Sequence, residues 1–103
     1  MGNERTIKLD IPKEVKDAVW QRDNHCCVLC GNPMAAPNAH YIARSHGGLG
    51  IEQNIVTLCA RCHRDYDQSA ARQYIKEEIK HYLSSQYHDW KEENLIYRKG
   101  QEL

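Results

Sequence analysis

The sequence predicts a small α+β domain, and three observations carry that expectation. Apolar residues recur at helical spacing in two stretches, one before residue 24 and one after residue 60. Two short stretches between them, residues 39–42 and 55–59, have strand character, and four of the five cysteines fall into two Cys-x-x-Cys pairs. A chain of 103 residues is one domain by size and buries a modest share of its surface. Its hydrophobic content is 41%, yet it has no Phe, and its aromatic residues are six Tyr and two Trp. Such a core is thin and calls for a staple.

The first element is a helix over about residues 12–23, PKEVKDAVWQRD. Pro12 suits its first position, Val15, Ala18 and Val19 give it an apolar face, and Trp20 is placed to close that face over the core. A turn-like cysteine segment, residues 25–34, follows. Residues 39–42, AHYI, read as a strand, and SHGGLG after them as a flexible loop whose glycines permit tight turns or close backbone approach. IVTLC, residues 55–59, is rich in β-branched residues and reads as a second strand. From Arg61 the pattern turns helical. Tyr66, Ala70, Tyr74, Ile75, Ile79 and Leu83 carry it from about residue 60 to residue 84, with a break placed near Gln68 or Ser69. The tail from about residue 85 holds Trp90, Leu95, Ile96 and Tyr97 and either packs back as a short helix or strand or stays partly loose.

Cys27 with Cys30 and Cys59 with Cys62 form two pairs, each able to reach one metal ion from a short turn. Two such pairs point to a tetrahedral structural zinc, and four thiolates leave no open position for catalysis. That zinc is the staple, tying the end of the first helix to the start of the second. Cys26 adjoins a ligand and reads as a small buried hydrophobe. No run of apolar residues is long enough to span a bilayer, and MGNERTIKLD lacks the apolar stretch of a signal peptide. The expected setting is therefore the cytoplasm, where clustered thiols are metal ligands more often than disulfides.

Zinc leaves several polar residues unexplained. His40 lies on the first strand, Asn54 just before the second, and His63 directly after the last cysteine. His63 and Asp67 are four apart on a helix, share a face, and could ligate one divalent ion. Arg44, Arg61 and Arg64 face only Glu52 in acidic charge between His40 and Arg64, so a phosphate-binding surface would be local, since the chain's 14 Lys+Arg balance its 14 Asp+Glu. A base, a metal and cations are the parts that phosphodiester hydrolysis needs. On spacing alone, however, a lone histidine is more often structural or a plain surface residue. Arg61 and Arg64 equally suit phosphate or a counter-charge to the zinc thiolates.

RDNHCCVLCG together with AHYIARSHGGLGIEQNIVTLCARCHRDYD, spanning residues 22–67, resembles the HNH (His-Asn-His) endonuclease family in its four-cysteine, zinc-bearing branch, which is often phage-encoded. The resemblance implies a ββα-metal (His-Me finger) core with a structural zinc knuckle and flanking helices. It implies one nuclease domain over residues 1–103, with its core at 22–67, an N-terminal helix at about 12–23 and a C-terminal helical extension at about 68–103. By the same resemblance His40 is the general base that activates water, Asn54 pins the long loop and orients the base, and His63 is a ligand of a single catalytic divalent metal. Arg44 falls at a commonly basic position and is expected to contact phosphate. The family usually places a second metal ligand directly before the base, where this chain has Ala39. Asp67 is the expected substitute, making with His63 a site for Mg²⁺, Mn²⁺ or Ni²⁺.

The activity implied is metal-dependent hydrolysis of double-stranded DNA to a 5′-phosphate and a 3′-hydroxyl. The alternative is a zinc-knuckle DNA-binding or assembly module of weak or no turnover, which Ala39 and the neutral net charge favour. A third reading is a protein-interaction domain docking through Trp90 and Tyr97. The C-terminal helices could support a homodimer, and the resemblance suggests phage packaging machinery as a setting.

Overall fold

In the computed structural model, which describes residues 4–99, the expected first helix is α2, Lys13–Arg22, preceded by a short helix α1, Glu4–Leu9. The six residues of α1 are too few for apolar periodicity to reveal. Pro12 stands at the N-cap of α2, one place earlier than its expected slot, and its carbonyl accepts from the amides of Val15 and Lys16. Val19 is fully buried as its spacing predicts. Trp20 is not: it remains partly exposed and stacks on His25 instead of closing over the core.

The two strands pair antiparallel. β2, Ile55–Cys59, has its expected bounds and is buried throughout. β1 runs Ala35–His40 and not over residues 39–42. Pro37 hides its start in the sequence, because proline lacks the ladder's N–H donor. The chain accommodates it at a bulge, where pairing passes from Ala36–Leu58 to Ala39–Val56, so β1 carries one residue more than β2 over that step. Beyond the bulge Ala39 and Tyr41 point into the core, while His40, opposite Ile55, stays half-buried at the strand's end.

The long C-terminal helix breaks where expected, into α3, Ala60–Gln68, and α4, Arg72–Gln86. Ser69 makes the break: its amide and hydroxyl both donate to the Asp65 carbonyl, and its oxygen then accepts from the Ala71 amide. Tyr66, Ile79 and Leu83 reach the core, whereas the break carries Tyr74 off the shared face to 69% exposure. The tail packs back. Residues Glu92–Leu95 form a 3₁₀ turn, Leu95 is buried, and Trp90 packs on the core with its indole N–H on the Gln53 carbonyl at 2.8 Å. Trp90, one of the two residues of the docking reading, is half-buried and borders an open hollow with Ile51 and Asn94.

A buried ionic network joins α2, β2 and α4. Arg22 grips Asp23 through Nε–Oδ1 at 2.7 Å and Nη2–Oδ2 at 3.1 Å. It also donates to the carbonyls of Glu52 and Ile55, each at 2.7 Å, and to the Tyr87 hydroxyl. Asp23 accepts from the Thr57 amide at 2.8 Å and from the Tyr82 hydroxyl at 2.5 Å. Every charge in the network is paired, the condition under which burying one is tolerated. No helix of the described residues is long and apolar enough to cross a membrane.

Candidate active site and metal centre

Cys27 and Cys30 sit on the turn after α2, Cys59 ends β2, and Cys62 lies in the first turn of α3. Their sulfurs all lie within 4.8 Å of one another, and Cys30 Sγ is 3.6 Å from Cys59 Sγ. Four sulfurs at Zn–S distances of about 2.3 Å around a tetrahedral ion stand roughly 3.8 Å apart, so this cluster is positioned to hold one metal ion and suits zinc. Among the described residues it is the one group of three or more potential ligands. Cys59 also caps α3, since its sulfur accepts the Cys62 amide at 3.5 Å, and that hydrogen bond draws its thiol down to about 7. Arg61 lies beside the thiols of Cys62, Cys30 and Cys59, whose proximity raises its guanidinium above the ordinary arginine value. That contact favours the counter-charge reading of Arg61. Cys26 lies outside the cluster, half-buried, with its sulfur 3.5 Å from the Asp23 carbonyl.

His40 is held from outside the expected core. Its Nε2 lies 2.9 Å from the Leu9 carbonyl at the end of α1. A carbonyl only accepts, so Nε2 carries the proton and Nδ1 keeps its lone pair. Burial pushes the imidazole below the ordinary histidine value of 6.5, and the charges of Arg44 and His63 push the same way. A neutral ring with an available Nδ1 has the properties of a general base. Asp10, Lys16, Asn38 and Arg44 line an open hollow with it. Arg44 is already engaged there, 2.6 Å from Asp10.

Asn54 is fully buried and clamps both ends of the loop after β1. Its Oδ1 accepts from the Ile42 amide at 2.8 Å, while Nδ2 donates to the carbonyls of Leu49 at 2.9 Å and Ile42 at 3.2 Å. The loop is also tied to the tail, with Leu49 N on the Leu95 carbonyl and Tyr97 N on the Gly47 carbonyl, each at 2.8 Å. Gly50 N donates to the Lys8 carbonyl. The sequence's flexible loop is therefore a clamped one. Its glycines serve close backbone approach: a Cβ at Gly48 would stand 1.6 Å from the Ile42 carbonyl oxygen, and one at Gly50 would stand 1.9 Å from that of Asp10.

His63 and Asp67 share a face of α3, with Nε2 and Oδ2 3.8 Å apart and exposures of 35% and 59%. They offer one imidazole nitrogen and one carboxylate oxygen, a donor set that fits a divalent ion completing its shell with water and phosphate oxygens. Ala39 is completely buried among core residues, so the position before the base faces away from solvent here. His63 lines a second hollow with Trp20, Met34, Ala36 and Asn38, and Asn38 borders both this hollow and that of His40. The two histidines also lie close enough for the charge of one to bear on the other. Arg64 is exposed, with no contact to either hollow among those described.

A two-stranded antiparallel sheet followed by a helix, with four cysteines gathered on one metal position, is the build of a ββα-metal finger with a zinc knuckle. Residues 27–69 match the family model of the HNH endonucleases, and the four cysteines of this region are positioned to hold one metal ion, consistent with the zinc-bearing branch. No curated protein matches the chain. The match ends before α4 and begins after α2, so Leu9, Asp10, Arg22 and Asp23 lie outside it. None of the four carries a spacing signal by which sequence alone would single it out.

Proposed function

We propose that the chain is a single nuclease unit that hydrolyses phosphodiester bonds of duplex DNA with a divalent metal, His40 serving as general base. The observation that carries this reading is the orientation of His40: the Leu9 carbonyl holds Nε2–H, burial keeps the ring neutral, and Nδ1 is left to take a proton from water. Water attacks phosphorus as Nδ1 removes its proton, the bond from phosphorus to the 3′ oxygen breaks, and that oxygen takes a proton from solvent water, leaving a 5′-phosphate and a 3′-hydroxyl. Asn54 is a positioning residue. It fixes the backbone at Ile42 and Leu49, and with it the end of β1 on which His40 stands. His63 and Asp67 would hold the catalytic ion, Mg²⁺, Mn²⁺ or Ni²⁺, whose positive charge would stabilise the phosphate and the leaving oxygen. Arg44 contacts phosphate after exchanging its partner Asp10 for it, and exposed Arg64 adds positive charge on α3. Zinc on the four cysteines is structural.

A non-cleaving DNA-binding module is the second reading, favoured by Ala39 facing the core and by only two donors, His63 and Asp67, at the open site. The test is supercoiled plasmid incubated with zinc-loaded protein and each of the three metals, beside a folded His40→Ala variant. Nicking or linearisation by the parent, reduced about 10²- to 10⁴-fold in the variant, is the expected result. Equal cleavage by both, or none by the parent, would sink the catalytic assignment.

A further inference from the structure

Trp20 has no job in the mechanism above, and its surroundings are unusual for a tryptophan. It is one of only two in the chain, yet it is not among the side chains packed on the core. Its indole stacks on the imidazole of His25, with ring centroids 5.1 Å apart and planes 10° from parallel. The turn that presents His25 costs backbone strain, because Asn24 and His25 both sit at φ 59 without being glycine. The rest of the indole borders two open hollows. One is shared with His63, Met34 and Asn38; the other with Lys16, Asp17 and Pro37. Asn38 continues the first hollow into that of His40 and Arg44.

We propose, resting on the nuclease reading, that Trp20 is a stacking platform for an unpaired nucleobase of the strand whose phosphate lies between His40 and His63. An aromatic ring bordering open hollows lined largely by apolar side chains suits the flat face of a base, and every base has a complementary face. The charge around it is complementary to a nucleic acid strand. Lys16 borders both the Trp20 and the His40 hollows, and its side-chain ammonium makes no hydrogen bond or ion pair among the described residues, while the neighbouring Asp17 is paired with Lys13. His25 backs the indole as a second ring and holds it flat. Local opening or bending of the duplex at the cleavage point would supply the base.

The experiment uses the zinc-loaded full chain in a His40→Ala background, so that DNA is bound and not cut. The probes are a twelve-nucleotide single-stranded oligothymidine, the same backbone with abasic sites, and a duplex of equal length. Oligothymidine is expected to quench tryptophan fluorescence in the parent but not in Trp20→Phe, where only Trp90 remains. Trp20→Phe should keep most of the affinity, while Trp20→Leu, which keeps apolar bulk without a π-face, should lose about tenfold or more for oligothymidine. The abasic strand should bind both alike. Equal binding of oligothymidine by the Leu variant and the parent, or a loss as large with the abasic strand, would overturn the platform while leaving the nuclease intact. Failure of every DNA to bind the parent would overturn both.

Discussion

The cysteine cluster and the proposed His63–Asp67 metal site both draw on α3, and they are built to opposite rules. Cys62 and His63 are neighbours in sequence, yet Cys62 points into the core with Cys27 and Cys59, while His63 and Asp67 remain 35% and 59% exposed. The cysteine cluster is closed, with four like donors and no vacancy for substrate. The His63–Asp67 pair is open, with two unlike donors and a hollow beside them. The first suits a structural ion; the second, on the proposed reading, would leave coordination positions for reacting oxygens. Adjacent residues serve different ends because successive positions on a helix point about 100° apart.

The contrast predicts that removing each metal does different damage. Zinc on four thiolates contributes about 10–16 kcal/mol in small zinc folds, against a net domain stability of about 5–15 kcal/mol. Chelation, or Cys59→Ser, should therefore abolish the folded state and with it the near-ultraviolet signal of the buried tyrosines. A chelated chain that keeps its cooperative unfolding transition would contradict the staple. Asn54→Ala comes next. It strands the Ile42 amide and frees the Leu49 carbonyl inside the loop, at about 1–3 kcal/mol for each unsatisfied group. A urea melt should show a loss of about 3 kcal/mol, and cleavage should fall with it.

Asp67→Ala should do neither. It should leave zinc content and melting unchanged but raise the divalent-ion concentration needed for half-maximal cleavage by about tenfold or more. An unaltered metal requirement would remove Asp67 from the site. The smallest effect belongs to Asp10→Asn. It releases Arg44 from a half-exposed pair, which is worth at most about 1 kcal/mol. DNA binding should tighten by up to about fivefold at low salt and by less at high salt. Weaker binding would mean that Asp10 orients Arg44 and does not compete for it.

What the sequence disclosed follows from the same physical divide. Cysteine pairs write their spacing locally, and β2 announces itself through Ile55, Val56 and Thr57, so the knuckle and its strand were legible. The break after Gln68 was legible too, because a serine that can turn on its own hydroxyl stands there. β1 was not, since Pro37 reads as a strand breaker and only the bulge makes room for it. The support of His40 was least legible of all. Leu9 supplies a backbone carbonyl, which any residue carries, from 31 positions upstream. Arg22 and Asp23 look like surface charge until β2 and α4 close over them, and Trp20 looks like core until its neighbours prove to be hollows.

The central claim is that His40 acts through a neutral ring whose Nδ1 is free, and it can be read directly. We would follow the His40 ring by nitrogen NMR across pH in the zinc-loaded protein and measure single-turnover cleavage over the same range. The expected neutral form carries its proton on Nε2. A base must be deprotonated, so cleavage should be lost as pH falls, at a midpoint below 6.5 that coincides with the ring's titration. A proton found on Nδ1 at neutral pH, or a cleavage rate indifferent to the titration of His40, would contradict the account.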